Sequence, residues 1–600
     1  MPRHRWRLRP SVAVAHDLAA EAADLGISRR LLAILCARGL ADRGRLGALV
    51  GAPETGLHDP RLLPDAAAFA ARVEQAGQRS ERVLVFGDFD ADGLSGLAIM
   101  ATALRRRGLD AEPYVPDRTE EGHGLSSAAV ERAQVDGRTL IVTVDCGTSS
   151  APEIAAAATL GIDVLVTDHH RVTGALPPAV AVVNPQRLDA VYPGAGLAGA
   201  GVAFKLAQLL LGAGALDLAD LATIGTVADV APIVGENRAI ARLGLAQLRA
   251  NQRPGIRALL AKAGVDAARL DLEQVAFAIA PRLNAVGRIG HGGPAVRLLL
   301  AQDAAEADGL ALELDAANGL RRELLATALA EARVALAGTA TPPTDSARGS
   351  VDGPVIVIAG PWPVGIVGLV AGRLADEFGR PAVVFSNQAD PWRGSARSPG
   401  NFDLAAAFGA MADLFWRFGG HSAAAGCHLS AENYDLFRRR LGQLAADVAP
   451  VEPSLTLDLI VGALDADYRL LRELATLEPT GTGNPPPIVG IEGLVVVRVR
   501  PARGGHTQLV LRKGREVLDG ICFGRDDLDG QLTQDQPVDV VARLASRVFG
   551  GYESLQLEVR DLAPAGTLAN LRLDVDAGPA ATDLAQSPAR PLALPTASAG

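Results

Sequence analysis

The chain has 600 residues, of which 48% are hydrophobic and 21% are charged, and its formal net charge is −10. This length predicts several domains, and the composition is that of a globular protein rather than a fibrous or disordered one. The sequence shows no apolar stretch long enough to cross a bilayer, and no apolar run follows the basic start MPRHRWRLRP. We therefore expect neither a membrane span nor a signal peptide.

The four cysteines, Cys36, Cys146, Cys427 and Cys522, are scattered along the chain without a CxxC pair. This pattern argues against a disulfide framework or a zinc ribbon, and it favours a cytoplasmic location, where thiols stay reduced. The acidic net charge argues mildly against nucleic-acid binding. That objection is weak, because binding depends on where the charges lie and because metal ions offset catalytic carboxylates.

Residues 1–80 are predicted to form an N-terminal helical segment, and residues 81–235 alternate between strand and helix. A helix is expected over Leu94–Gly108, where apolar residues recur at helical spacing and a glycine ends the pattern. The expected strands are Arg82–Phe86, Leu140–Val144, Val164–Thr167 and a last one within residues 179–185. This alternation predicts a catalytic domain built on a mainly parallel sheet with helices on both faces.

The remainder of the chain is predicted to add several regions, which make the fold class α/β and multidomain. They are a helical connector at 236–337, a flexible linker at 338–353, a second α/β region at 354–450, a region at 451–565 that contains a small β-barrel, and a disordered tail at 577–600.

Four segments end an apolar run with acidic or histidine side chains. They are VLVFGDFDADG (Val83–Gly93), LIVTVDCG (Leu140–Gly147), DVLVTDHH (Asp163–His170) and IGTVADVAP (Ile224–Pro232). The first three are predicted strands and the fourth is expected to follow a helix. Side chains just past the carboxyl ends of parallel strands converge on one crevice. The convergence would gather Asp88, Asp90, Asp92, Asp145, Asp168, His169, His170 and Asp229. Crowded carboxylates need cations to neutralise them, so the pattern predicts a two-metal site.

The residue types in this crevice suggest roles. On an extended segment, Asp88, Asp90 and Asp92 would share one face. A calcium-binding EF-hand loop is excluded, because its twelfth position is Ile99 rather than Glu. Carboxylates suit Mg²⁺ or Mn²⁺, and a histidine ligand tilts the choice toward Mn²⁺.

The adjacent histidines after the third strand project in different directions. One of them would therefore ligate a metal, while the other would touch substrate or act as a general acid. Asp168 could orient a histidine as an outer partner.

Two arginine-containing segments, PRLNAVGR (Pro281–Arg288) and GSARS (Gly394–Ser398), favour phosphate binding over incidental surface loops, since small residues beside each arginine permit close approach. Such cations are needed, because five carboxylates outweigh the charge of two divalent ions. For GGHSAAAG (Gly419–Gly426), two alternatives stay open: a tight helix start with a packing histidine, or a helix N-terminus that attracts an anion.

Together these motifs resemble the RecJ family of bacterial exonucleases within the DHH phosphoesterase superfamily. The resemblance covers roughly residues 25–565. Beyond the four acidic segments it includes VPDRTEEGHGLS (Val115–Ser126), LAGAGVAFK (Leu197–Lys205), GTVADVAPIVGENR (Gly225–Arg238), PRLNAVGR, GSARS, GGHSAAAG and EPTGTGNPPP (Glu478–Pro487).

The resemblance implies a DHH domain at 81–235, a DHHA1-type domain at 354–450, an OB-fold within 451–565, and a particular set of site residues. The metal ligands would be Asp90, Asp92, Asp145, His169 and Asp229, with Asp145 bridging and Asp88 completing the cluster. Asp168 and His170 would be catalytic. The substrate phosphates would be held by Arg118, Arg282, Asn284, Arg288, Ser395, Arg397, Gly420 and His421.

The sequence departs from the family pattern at two positions. His123 stands where the family usually has tyrosine, and Pro363 stands where it usually has histidine. We expect these departures to affect substrate contacts and to leave the metal site alone.

The resemblance implies hydrolysis of single-stranded DNA in the 5′→3′ direction with two Mn²⁺ or Mg²⁺ ions, in DNA repair and recombination. It also implies a monomer that works with a single-strand-binding protein and a helicase. Two other functions stay open at this point: a small-nucleotide phosphodiesterase on the same core, and a non-catalytic DNA-binding scaffold.

DNA binding by the barrel is equally open. Stacking there would be limited, because residues 490–562 hold only three aromatic side chains. Several arginines could instead follow a DNA backbone: Arg498, Arg500, Arg503, Arg512, Arg543 and Arg547.

Overall fold

The computed structural model of the chain describes residues 2–42, 44–118, 120–172, 174–337, 348–350, 353–549 and 552–576. The chain divides into two compact units. Unit 1 comprises Met1–Leu46, Glu452–Glu478 and the chain from Pro486 onward, and unit 2 comprises Gly47–Val451 and Pro479–Pro485. The expected N-terminal segment 1–80 is thus divided between the two units.

The α-helices of the described residues are, in chain order, α1 (His16–Asp24), α2 (Arg29–Ala37), α3 (Leu46–Val50), α4 (Ala66–Gln78), α5 (Ala91–Arg106), α6 (Ser127–Val135), α7 (Ala151–Thr159), α8 (Gly199–Leu211), α9 (Ala219–Ala228), α10 (Gly235–Ala250), α11 (Pro254–Ala263), α12 (Leu272–Gln274), α13 (Ala280–Ile289), α14 (Gly293–Leu300), α15 (Ala304–Leu336), α16 (Val364–Phe378), α17 (Leu404–Gly409), α18 (Tyr434–Leu444), α19 (Tyr468–Ala475) and α20 (Thr567–Asp576).

The β-strands of the same residues are β1 (Arg5–Leu8), β2 (Arg82–Gly87), β3 (Asp110–Tyr114), β4 (Leu140–Val144), β5 (Asp163–Thr167), β6 (Ala181–Val183), β7 (Arg348–Ser350), β8 (Ile356–Gly360), β9 (Ala382–Ser386), β10 (Trp392–Arg397), β11 (Phe415–Gly420), β12 (Ala424–Leu429), β13 (Ser454–Leu457), β14 (Leu459–Gly462), β15 (Val489–Ala502), β16 (His506–Lys513), β17 (Glu516–Cys522), β18 (Pro537–Phe549) and β19 (Tyr552–Pro564).

The first sheet of unit 2 is parallel, with strand order β3-β2-β4-β5-β6. Its central strands read as continuous apolar runs, because helices cover both faces of a parallel sheet. Every residue of β4 is buried, and the apolar side of α5 packs over the sheet. The carboxyl ends of β2, β4 and β5 therefore lie side by side at one edge.

The second sheet of unit 2 has the order β11-β12-β10-β9-β8-β7, and β11 forms one edge. Strands β8 and β9 are parallel and fully buried, and α16 connects them. The long helix α15 packs against α13 and α16, so it joins the two α/β parts of this unit.

Unit 1 contains a closed barrel. The strand order is β14-β15-β16-β17-β19-β18, and β15 also pairs with β18, which closes the ring. The N-terminal strand β1 pairs with β13, and the carboxylate of Asp561 accepts hydrogen bonds from the backbone of Arg3 and His4 and from the indole of Trp6. These contacts hold the start of the chain against β19 of the barrel.

The helical stretch Gly199–Ala228 is long and apolar enough to cross a membrane by length and composition, so the expectation that no stretch reaches this length is wrong. Half of its most apolar window is buried inside the domain. The stretch is interrupted after α8 at Gly212, whose φ is +58°, and α8 and α9 both pack against α5.

Most of the predicted linker, residues 338–347, 351 and 352, and the predicted disordered tail, residues 577–600, lie outside the described residues. The other predicted domain boundaries stay predictions.

Candidate metal centre

The loop after β2 supplies three carboxylates in different backbone settings. Asp88 follows the strand, and Asp90 is the N-cap of α5, where its Oδ1 accepts hydrogen bonds from the backbone N–H groups of Asp92 and Gly93 at 3.0 and 3.1 Å. Asp92 already lies in the first helical turn. The expectation that all three share a face of an extended segment is therefore wrong, because the helix begins at Ala91 and turns Asp92 inward.

Asp92 holds the N-terminus of α8. Its carboxylate oxygens accept hydrogen bonds from the backbone N–H groups of Gly199 and Ala200 at 2.7 and 2.9 Å. A carboxylate is stabilised there by the free N–H groups of the helix start. The contact fixes α8 relative to α5 at the level of the site.

Asp145 follows β4 in the left-handed region, with φ of +63°, and its N–H donates to the carbonyl of Thr167 on β5. This backbone conformation directs a buried carboxylate toward the loop after β2. Its Oδ1 lies 3.0 Å from Nε2 of His169 but accepts no hydrogen bond of good geometry within the described residues.

Asp168 organises the segment after β5. One of its oxygens accepts hydrogen bonds from the N–H groups of His169 and His170, and the other accepts one from the N–H of Thr148. His170 Nδ1 lies 2.8 Å from Asp168 Oδ1. Burial opposes ionisation of Asp168, but the hydrogen bonds with His170 and Thr148 outweigh it and lower its pKa. The hydrogen bond with Asp168 raises the pKa of His170 to about 9.

His169 lies at the centre of the cluster. Its Nε2 is 3.8 Å from Asp92 Oδ2 and 3.0 Å from Asp145 Oδ1, and its Nδ1 is 3.8 Å from Asp229 Oδ2. Asp229 is the C-cap of α9, as expected for a residue that follows a helix. One imidazole thus contacts carboxylates from three separate segments.

The carboxylates of the cluster repel one another when no cation is bound between them. Burial, and secondarily repulsion from neighbouring carboxylates, raises the pKa of Asp90 and Asp145. Burial also raises the pKa of Asp92 to about 7, although His169 partly opposes the shift. Burial raises the pKa of Asp229 as well. Such a set favours bound cations that replace the lost solvation.

Glycines let other segments approach these carboxylates. A Cβ on Gly199 would lie 2.4 Å from Asp145 Oδ1, and a Cβ on Gly225 would lie 2.4 Å from Asp92 Oδ1. Side chains at either position would displace a candidate ligand.

Three groups of donor atoms lie close enough to hold an ion, each with all atoms within 4.8 Å of one another. They are Asp88–Asp90–Asp145, Asp92–His169–Asp229 and Asp145–His169–His170. Asp145 belongs to the first group, and its Oδ1 lies 3.0 Å from Nε2 of His169 in the second, so its carboxylate lies between two candidate ion positions.

Arg118 and Arg288 lie close enough to Asp90 for its charge to act on their pKa values, and Arg397 lies close to both of these arginines. Burial lowers the pKa of Arg118, Arg288 and Arg397, and that of Arg288 falls to about 10. Repulsion from Arg118 lowers the pKa of the other two further. Among the described residues, none of the three has a carboxylate within ion-pair distance. Arg288 Nη1 donates to the carbonyl of Gly365, and Arg397 Nη1 donates to Ser395 Oγ.

The remaining expected substrate residues are placed differently. Arg282 pairs with Asp315 at 2.9 Å and also donates to a backbone carbonyl, so its charge is already balanced. Asn284 Oδ1 accepts the N–H of Ala91 at 2.7 Å, which ties α13 to the start of α5.

Gly420 and His421 lie at the turn between β11 and β12. Both interpretations of GGHSAAAG as a helix start are wrong, because Gly420 has φ of +139° and the segment forms a hairpin.

His123, one of the two departures from the family pattern, contacts a carboxylate of the metal centre. Its Nδ1 lies 3.1 Å from Asp88 Oδ2, and its ring contacts Phe89, over whose ring the guanidinium of Arg118 also lies. The expectation that this departure leaves the metal site alone is wrong, because the loop after β3 folds back over Asp88. Pro363, the other departure, is the N-cap of α16.

Sequence reasoning missed a buried network behind the site. Lys205 is fully buried; its Nζ lies 3.0 Å from Glu236 Oε1 and donates to the carbonyl of His58. Glu236 also accepts hydrogen bonds from the N–H of His58 and the hydroxyl of Tyr192. Lys205 and Glu236 both lie in motifs that carry the family resemblance, and their place in these motifs was the sequence signal that could have revealed the network.

The parallel sheet with aspartates and histidines beyond its strands, followed by a second α/β domain and a barrel, defines a DHH-type protein. The family description "DHH family, N-terminal domain" matches residues 82–226, "DHHA1 domain" matches 352–447 and "RecJ OB domain" matches 457–561.

Two curated relatives are both named single-stranded-DNA-specific exonuclease RecJ. The Bacillus subtilis protein is 34% identical over 569 residues, covering 93% of this chain and 71% of the relative. The Salmonella typhimurium protein is 35% identical over 517 residues, covering 82% and 88%. The crystal structure of Thermus thermophilus RecJ in complex with Mn²⁺ superposes with a TM-score of 0.77 at 30% identity, covering 94% of this chain and 80% of that one. The chain belongs to the RecJ family.

The family resemblance and the α/β multidomain fold with an OB barrel, both predicted from the sequence, are thereby confirmed.

Proposed function

We propose that the chain is a metal-dependent, single-strand-specific exodeoxyribonuclease that hydrolyses phosphodiester bonds with two divalent ions, Mn²⁺ or Mg²⁺. The observation that carries the proposal is the position of Asp145, which belongs to the donor group Asp88–Asp90–Asp145 and lies 3.0 Å from His169 of the group Asp92–His169–Asp229. The RecJ relatives, named for this activity and crystallised with Mn²⁺ and with Mg²⁺, support the same function.

The residues of the cluster fit a pair of such ions. The donors are carboxylate oxygens with one or two imidazoles, the set that suits Mn²⁺ and Mg²⁺. Asp145 Oδ1 is buried without a hydrogen bond of good geometry, as expected for an oxygen whose natural partner is a cation. Asp88, Asp90, Asp92, Asp145, His169 and Asp229 would hold the ions, which supply an activated water and charge stabilisation for phosphodiester cleavage.

The chain's own groups have separate tasks in this scheme. Asp168 fixes the segment after β5 and holds His170 through Nδ1, which leaves Nε2 of this half-exposed ring for the substrate. His170 would touch a substrate oxygen and donate a proton to it. Asn284 would act as a positioning residue, because it holds the backbone at Ala91 between Asp90 and Asp92.

The substrate phosphate would be held by Arg118, Arg288, Arg397 and Ser395. A half-buried guanidinium without a carboxylate partner is stabilised when an anion binds to it, and arginine binds phosphate oxygens bidentately. The arginines also offset the residual negative charge that the carboxylates leave after metal binding. Arg282 contributes less to this scheme than the sequence suggests, because Asp315 already pairs with it.

The finer parts of the proposal rest on the resemblance. They are the 5′→3′ direction, action in DNA repair and recombination, a cytoplasmic monomer, DNA contacts by the barrel, and cooperation with a single-strand-binding protein and a helicase.

The test is digestion of single strands and duplexes labelled at either end, with Mn²⁺, Mg²⁺ or EDTA. We expect stepwise loss of nucleotides from the 5′ end of single strands in either metal and none in EDTA. Equal turnover of a dinucleotide and a long oligonucleotide would favour a small-nucleotide phosphodiesterase. Binding without any cleavage would favour a scaffold.

A further inference from the structure

An exposed tryptophan at the edge of the second sheet stands out among the surface residues of unit 2. Trp416 on β11 is 72% exposed, whereas Trp362 is 3% exposed. A large exposed aromatic ring offers a flat apolar surface on which a planar ligand can stack.

The strand register relates this tryptophan to the face of the sheet that carries Ser395 and Arg397, the proposed phosphate contacts. Arg393, Ser395 and Arg397 alternate along β10 and so share one face. Directly opposed residues of antiparallel strands point to the same side. Arg393 opposes His428 on β12, and His428 opposes Arg417 on β11. His428 and Arg417 therefore lie on the same face of the sheet as Ser395 and Arg397, and this face extends to the edge strand β11.

A register shift in β11 brings Trp416 to this face. The pairing slips between Phe415 and Arg417, so Trp416 is the extra residue. Phe415 packs against the core on the other face, whereas Trp416 is exposed and therefore goes with Arg417. A bulge of this kind re-aims side chains and puts two neighbours opposite one partner. Trp416 and Arg417 therefore lie at the edge-strand end of a row of side chains that begins at Arg393 and continues through His428.

Between Ser395 and the edge of the sheet, Gly426 and Gly419 form a strip of surface that carries no side chains. Ser395 opposes Gly426, and Gly426 opposes Gly419. A Cβ on Gly419 would meet nothing within 4 Å, and one on Gly426 would meet only the carbonyl oxygen of Gly394 at 3.7 Å. The strip spans two strand spacings, roughly 10 Å. It is bounded by the row of Arg393, His428, Arg417 and Trp416 on one side and by Arg397 on the other.

We propose that this strip is a track for single-stranded DNA, in which the backbone crosses Gly426 and Gly419 and a base stacks on Trp416. The combination of cations, an exposed aromatic ring and an open floor matches the chemistry of single-strand binding. The segment from Phe415 to Leu429 contains no acidic residue that would repel a phosphate backbone. This inference rests on the proposed function and extends its substrate contacts beyond the phosphate site.

The test compares binding of fluorescent 5′-phosphorylated (dT)15 to wild type and variants in EDTA, where no hydrolysis occurs. Trp416→Ala should weaken binding roughly 5- to 150-fold, the equivalent of ~1–3 kcal/mol for one stacked base. Trp416→Phe should retain most of the affinity, since it keeps a ring. Leu188→Ala, at a fully exposed position of unit 2, is the matched control and should bind as wild type does.

Two further measurements separate stacking from a general loss of binding. Gly419→Val should weaken (dT)15 binding by filling the strip, with an unchanged melting temperature, because the added side chain meets no neighbour. An oligomer with the same phosphates but abasic sugars should bind wild type and Trp416→Ala equally. Thymidine 5′-monophosphate should also bind both equally, since it reaches only the phosphate site.

Unchanged (dT)15 affinity in both Trp416→Ala and Gly419→Val would overturn the track, and the edge strand β11 would then suit an extended peptide instead. A weaker affinity for the abasic oligomer in Trp416→Ala would equally refute stacking. These results are distinct from a failure of the proposed function. In that case wild type itself would not degrade single strands in Mn²⁺.

Discussion

Replacing Lys205 with methionine would remove one charge of a buried ion pair that lies behind the metal centre. Lys205 and Glu236 are both buried, with Nζ 3.0 Å from Oε1. Glu236 lies in the first turn of α10, and the loop 230–234 connects it to Asp229. The pair therefore ties α8, whose N-terminus Asp92 holds, to the segment that carries Asp229.

The expected cost follows from the burial of the remaining charge. In Lys205→Met, Glu236 keeps its hydrogen bonds from the N–H of His58 and the hydroxyl of Tyr192 but has no counter-charge. Removing one partner of a buried pair costs about 3–5 kcal/mol, whereas removing both charges costs far less. We expect Lys205→Met to lose ~3–5 kcal/mol of unfolding free energy. Combining it with Glu236→Gln should restore part of that loss, because glutamine keeps an acceptor without the charge.

The assay is denaturant unfolding of wild type, both single variants and the double variant, with the coupling free energy taken from the cycle. Mn²⁺ affinity measured by calorimetry on the folded proteins would report whether the Asp229 segment has moved. A loss below about 1 kcal/mol in Lys205→Met, or a double variant less stable than both singles, would refute the reasoning.

Three further outcomes are expected at the site. Asp145→Ala should abolish cleavage and leave binding of single strands in EDTA largely intact; measurable nuclease activity in the purified variant would contradict the shared-ligand assignment. His123→Ala should weaken Mn²⁺ binding by roughly 10- to 100-fold, because His123 contacts Asp88 as an outer partner, and calorimetry showing wild-type affinity would remove it from that role. Arg397→Ala should lower the slope of log affinity against log salt concentration by about 0.7 on single strands, so that an unchanged slope would exclude a phosphate contact.

Much of the fold is readable from local sequence. The strands at Arg82–Gly87, Leu140–Val144 and Asp163–Thr167 appear where continuous apolar runs predict them. The rule that parallel strands end at one edge then brings together the acidic residues that follow them. Asp145 and His169, 24 residues apart in the chain, are thus neighbours for reasons that chain order and strand polarity already contain.

Local sequence predicts less well where a side chain's partner comes from a distant segment. Arg282 and Arg288 lie in one motif and look equivalent in sequence, yet Arg282 pairs with Asp315 on α15, whereas Arg288 has no carboxylate partner in the part of the chain that the structure describes. The helix start at Ala91 likewise separates Asp92 from Asp88 and turns it onto α8. Neither outcome follows from residue types or spacing, because both depend on which helix packs against the segment.

By itself the sequence determined the α/β class, the family, and the edge of the sheet at which the aspartates and histidines meet, because apolar runs and strand polarity are local properties. Only the tertiary structure decided that His123 reaches Asp88, that Lys205 and Glu236 pair behind the site, and that the strand register of β11 slips at Trp416. Each of these contacts joins segments far apart in the chain. Packing between such segments fixes side-chain partners that no local pattern encodes.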